Sequence, residues 1–138
     1  VAANIALGMM NIAGWGSGLQ FELVMADSGC DGTAAATGAQ ALVDAGVVAV
    51  AGAACSGATM GANAILSAAG IPMISYASTN PGLSDSTAYP LFFRVVPSDA
   101  IQGPALADVV TAGGSSNIAL LHMNNDYGSG LADSFVDP

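Results

Sequence analysis

Hydroxyls and small residues gather at three places where an apolar run ends: VVAVAGAACSGAT at 47–59, IPMISYASTNPG at 71–82 and IALLHMNNDYGSG at 118–130. They bring Ser56, Ser78, Thr79 and Tyr127 to junctions between a strand-like run and a helix-like stretch. The chemistry available there is recognition. Backbone N–H groups at a helix start, with a hydroxyl beside them, hold a carboxylate, and the helix terminus alone contributes on the order of 0.3 to 2 kcal/mol. Ser56, following Cys55, is placed either to cap the next helix or to face a ligand. Ser78 and Thr79 repeat the offer, with Pro81 and Gly82 fixing the turn. Tyr127 combines an aromatic face with a phenol, suited to covering an apolar ligand while making one hydrogen bond.

Bond-breaking chemistry is poorly supplied. With Lys plus Arg totalling 1 there is no Walker A lysine. A nucleophile at Cys55 or Ser56 would need a base, but no G-x-S-x-G elbow exists and His122 lies inside IALLHM, where it reads as a satisfied core or strand-end histidine. One His and two Cys leave no zinc set. Gly14, Gly16 and Gly18 imitate a dinucleotide loop, yet they follow a helix and precede a strand, the reverse of what a phosphate site needs. Arg94 in FFRVVPSD reads as an ion-pairing or loop-anchoring residue. No metal or cofactor is expected.

The elements that must position these groups alternate. Helical patterns of about a dozen residues separate the apolar runs, so the strands should be parallel, and ligands of open parallel sheets bind at the carboxyl ends of strands. The expected order is a helix over 1–13, a strand over 20–27 (QFELVMAD), a helix over 33–46 and a strand at VVAVAG. A helix over 57–69 follows, stopped by Gly70 and Pro72, then a strand at PMISYA and an extended LFFRVV. Ser98 caps a helix over 99–112, NIALLHM is the last strand, NNDYGSG its loop, and GLADSFVD the last helix. The fold class is α/β: a doubly wound, mainly parallel sheet with helices on both faces.

The 138 residues, 53% of them hydrophobic, suffice for one domain with one core. A net charge of -9 disfavours nucleic acid and anionic lipid as partners and points to a small, weakly charged ligand. No apolar stretch reaches the roughly 18 residues of a membrane span without Gly, Asn or Asp. The chain begins at Val1 in a helical pattern and stops in another, as expected of a piece of a longer protein that lacks its first strand. Cys30 and Cys55 each lie near a strand end, so neighbouring strands could bring them together. A bridge would close a loop of about 26 residues and stabilise by roughly 3 kcal/mol, implying an oxidising compartment; the other reading is two buried thiols.

In wording and order, CSGAT, IPMISYASTNPGLSD, FFRVVPSDAIQG and LLHMNNDYGSGLADSF resemble the amino-terminal lobe of periplasmic binding proteins of the leucine/isoleucine/valine-binding kind, substrate receptors of ABC importers. The resemblance covers nearly the whole of residues 1–138, and the spacing of Cys30 and Cys55 is similar to the family's disulfide. It implies a periplasmic or extracellular receptor, secreted or lipid-anchored and with no enzymatic activity, which closes two lobes on an amino acid and docks on a membrane permease. Ser56 and Thr79 would hold the ligand carboxylate, the Ala77 carbonyl its ammonium, and Tyr127 would line the side-chain pocket or the cleft wall. The usual second-lobe carboxylate for the ammonium is absent. A ligand-sensing domain of a signalling receptor is the alternative, and a small α/β hydrolase a more remote one.

Overall fold

A computed structural model describes residues 2–13 and 18–137; Gly14 and Gly16 lie outside them. Along the chain run α1 (Ala2–Ala13), α2 (Gly32–Asp44), β1 (Val50–Ala51), α3 (Ser56–Ala68), β2 (Met73–Ser75), a 3-10 turn (Pro81–Ser84), β3 (Phe92–Arg94), α4 (Asp99–Ala112) and α5 (Asp126–Val136). The sheet has the order β1-β2-β3 and both pairings are parallel, with Val50 opposite Met73 and Ser75 opposite Arg94. This is the expected α/β class, a parallel sheet flanked by helices.

Local chemistry explains the helix ends. Asp31 accepts a hydrogen bond from the Ala34 N–H at 2.8 Å and starts α2, while Gly46, at φ +74°, lets the chain leave it. Ser98 caps α4 through the Ala100 N–H, and Asn125 caps α5 through that of Gly128. Only α3, among α2 to α5, has no side-chain cap: its N-cap is Cys55, whose side chain makes no capping bond.

Small residues set the packing. Ala35 and Ala39 of α2, Ala58, Ala62 and Leu66 of α3, and Met73 of β2 form the core, with Val50, Ile65 and Phe92 against it. The two helices cross closely because Gly61 has no side chain: a Cβ there would overlap the Gly32 carbonyl. Gly61→Ala would gain about 1 kcal/mol of helix propensity, but overlap with a backbone that cannot swing aside costs about 1–3 kcal/mol, here at the upper end. The expected net loss of about 1–2 kcal/mol is read from the urea midpoint; an unchanged midpoint would mean that α2 slides freely past α3.

Two expected strands are absent. Residues 20–27 and 117–123 form no strand. Their alternating apolar composition favours extension, but a strand is stabilised by ladder partners and a packed face, and neither segment joins the ladder of this three-stranded sheet. Phe21 is held instead by Asn11, which exchanges two hydrogen bonds of 2.9 Å with its backbone. Leu121 is 98% exposed, and His122 is exposed too, its Nδ1 3.0 Å from the Met123 carbonyl oxygen, so of its two expected settings, core or strand end, the core one fails. The last helix starts at Asp126, not Gly130, so Tyr127 belongs to its first turn and not to a loop. The Asn125 cap outweighs the two glycines that made NNDYGSG read as a turn.

Candidate functional site

The register places the carboxyl ends of β1, β2 and β3 side by side. Beyond β1 come Cys55 and Ser56, beyond β2 Ala77, Ser78 and Thr79, and beyond β3 Ser98 and Asp99. Cys30 and Cys55 form a disulfide with Cα atoms 5.3 Å apart, tying the turn before α2 to the start of α3.

Beneath the strand ends lies a buried hydroxyl network. Ser75 bonds to the Ala53 carbonyl and accepts from the Ser78 N–H at 2.9 Å and the Ala77 N–H at 3.2 Å. The Ser78 hydroxyl lies 2.7 Å from Thr59 Oγ1 and within 3.2 Å of the Ala53 and Ala54 carbonyl oxygens. Ser75, Ser78 and Thr59 are each fully buried. One hydroxyl proton shared among those acceptors leaves Ser78 nothing to present at the surface. It holds the β1 and β2 ends together.

Above that network, Thr79 is half-buried and Ala77 exposed. Ser56 is only 1% exposed and does not cap α3; its oxygen accepts from the Asn80 N–H at 3.4 Å. The Thr79 hydroxyl donates to Asp99 Oδ2 at 2.8 Å, and the Asp99 N–H donates to the Thr79 carbonyl at 2.9 Å. Asp99 is 1% exposed, and its Oδ1 has no hydrogen-bond partner. A buried carboxylate oxygen without a donor is costly, which marks it as a place where a cation or donor would gain. Tyr127 is 39% exposed on α5.

Arg94 anchors a loop, one of the two roles its setting allowed. Its guanidinium donates to the Asn80 carbonyl at 3.0 Å, to the Ser78 carbonyl at 3.4 Å and to the Ser84 hydroxyl. Burial pulls its pKa below the ordinary value, and the charge of Asp99 pushes it back up. The chain's only Lys or Arg side chain is thus spent bracing the β2 end. Among the described residues no group of three or more His, Cys, Asp or Glu could hold a metal, and no helix is long and apolar enough to cross a membrane.

Asp99 and Asn80 were not singled out from sequence. Asp99 follows a Ser N-cap, where an acidic residue reads simply as favourable to the helix dipole. Its contact with Thr79, 20 residues earlier, depends on the Ser75 to Arg94 register.

Residues 1–138 match the family described as receptor family ligand binding region. Metabotropic glutamate receptor 6 of Rattus norvegicus is 44% identical over 90 residues, 65% of this chain and 10% of that protein. Metabotropic glutamate receptor 8 of Homo sapiens is 44% identical over 87 residues, 63% of this chain and 10% of that one. The chain therefore spans about a tenth of these relatives. Among solved structures, an ABC transporter substrate-binding protein from Desulfitobacterium hafniense superposes with a TM-score of 0.78 at 34% identity, covering 97% of this chain and 40% of that one. A structure described as that organism's substrate-binding protein in complex with Leu matches equally.

Proposed function

The chain belongs to the receptor ligand-binding-region family, a family of binding domains and not of enzymes; from that premise we propose that it is one lobe of a two-lobed extracytoplasmic receptor for an α-amino acid. The observation that carries this reading is the start of α3, without a side-chain N-cap, whose first residue Ser56 is bonded to the Asn80 N–H next to the Thr79–Asp99 pair beyond the strand ends. The ligand carboxylate lies against the first turn of α3 and Ser56. The ammonium lies against the Ala77 carbonyl, Thr79 Oγ1 and the unpartnered Asp99 Oδ1.

Thr79 takes a different part from the carboxylate holder that the family resemblance implied. Its hydroxyl proton is committed to Asp99, so the oxygen is left as an acceptor facing an ammonium. Asp99 would supply from within this lobe the negative charge otherwise sought in the second lobe. Cys55 sets the start of α3, Ser78 braces from below, and Tyr127 lines the side-chain pocket.

We read the receptor as the binding component of an ABC importer, closing on its ligand and presenting the closed form to a permease. The substrate-binding protein that matches 97% of the chain supports that output. Identity of 44% to metabotropic glutamate receptors favours a second reading, a sensor domain with its output module in the same polypeptide. Leucine-stimulated ATP hydrolysis by a partner permease separates the two. The disulfide fits the periplasm or the cell exterior in either case.

A thermal-shift screen of the full-length receptor against the common amino acids, leucinamide and N-acetyl-leucine tests the shared claim, since a binder raises apparent stability by mass action. At least one α-amino acid should raise Tm, and leucinamide and N-acetyl-leucine, each lacking one charged group, should not. Absence of a shift with every amino acid would refute an amino-acid receptor.

A further inference from the structure

Asp126 opens α5, yet its carboxylate reaches across to α3. Its Oδ2 occupies the space that a Cβ on Gly57 would need, and Gly57 is the second residue of α3. Asn80 fixes that approach: its Nδ2 donates to the Asp126 carbonyl, its Oδ1 accepts from the Gly82 N–H, and its own N–H donates to Ser56 Oγ. A negative charge therefore stands beside the helix start assigned above to the ligand carboxylate.

The surrounding charges make this consequential. Arg94 is engaged with two backbone carbonyls and Ser84, and it already feels the charge of the buried Asp99. With Asp99 and Asp126 against Arg94, the charges named at the strand ends sum to -1. A zwitterionic amino acid brings no net charge, and the opposing effects of Asp126 on its ammonium and carboxylate partly cancel. An amino acid with an acidic side chain brings an unbalanced negative charge, and the chain has no Lys or Arg besides the engaged Arg94 to set against it.

The geometry points to Asp126 as a specificity-determining residue that disfavours ligands carrying a second negative charge, so that the site takes amino acids with an uncharged side chain. This rests on the amino-acid-receptor reading and narrows its ligand class. It sets the chain apart from its relatives named as metabotropic glutamate receptors.

The test is isothermal titration of the full-length receptor with leucine, glutamine and glutamate, in wild type and Asp126→Asn. Glutamine and glutamate share a shape and differ by one charge. Wild type should bind the tighter of the two neutral probes more strongly than glutamate. Asp126→Asn should narrow that ratio roughly five- to tenfold, chiefly by strengthening glutamate, an effect expected of one partly screened charge at this range. Asp126→Ser, which also removes the charge, should do the same. Wild-type preference for glutamate, or an unmoved ratio in both variants, would overturn the assignment. A loss of neutral-probe affinity in Asp126→Asn would overturn it too, because Asp126 would then be a direct ligand contact. If none of the three probes binds wild type, the amino-acid reading has failed and takes this inference with it; failure of the ratio test alone leaves that reading standing.

Discussion

Replacing Ser56 and Thr79 together by Ala in the full-length receptor should weaken leucine binding by about a thousandfold. A hydrogen bond to a charged group contributes about 1.5–3 kcal/mol, roughly ten- to 150-fold in affinity, and each residue makes one in the proposed complex. The single variants should divide by ligand group. Ser56→Ala acts on the carboxylate and should erase most of the preference for leucine over leucinamide. Thr79→Ala acts on the ammonium and also strips Asp99 Oδ2 of its side-chain donor. It should therefore lower Tm as well, whereas Ser56, which only accepts a long bond of 3.4 Å from Asn80, should leave Tm nearly unchanged. Unchanged leucine affinity in the double variant would remove both residues from the site.

The second large effect concerns the disulfide. Cys30→Ser with Cys55→Ser should cost about 3 kcal/mol, because the bridge closes a loop with a sequence separation of 25 and so limits the unfolded ensemble. For a domain of this size that is a fall in Tm of roughly 10 °C, measurable by calorimetry with and without reductant. The site should suffer with it. Cys55 is the N-cap of α3, so losing the tie to Cys30 loosens the first turn of the helix proposed to hold the carboxylate. Leucine affinity should fall several-fold in the serine double variant while the leucine-to-leucinamide preference shrinks. A Tm unmoved by reductant would mean that the cross-link constrains little of the unfolded chain.

What could be read from the residues was what local chemistry decides. The helices over Ala2–Ala13, Gly32–Asp44, Ser56–Ala68 and Asp99–Ala112 lie within two residues of the expected stretches, several of whose ends are marked by Gly46, Gly70, Pro72 and Ser98. Those signals act over one turn of chain and need no neighbour. Residues 20–27 and 117–123 have strand composition, but pairing is a property of two segments, and their partners could not be inferred from their own alternation. The same limit applies at the site. The hydroxyl residues after each apolar run were visible, because small polar residues at strand ends are a local pattern. Which hydroxyl faces inward was not: Ser78 and Thr79 are adjacent, yet one is buried among carbonyls and the other meets Asp99. The roles of Asp99 and Asp126 likewise depend on which elements lie beside them, Asp99 against Thr79 and Asp126 over Gly57.

The central claim is a placement of ligand groups, and a crystal structure of the full-length receptor with leucine tests it most directly. The account predicts the carboxylate at the first turn of α3 beside Ser56, and the ammonium within hydrogen-bond distance of the Ala77 carbonyl, Thr79 Oγ1 and Asp99 Oδ1. Leucine bound elsewhere, or in this place with its carboxylate and ammonium exchanged, would contradict it.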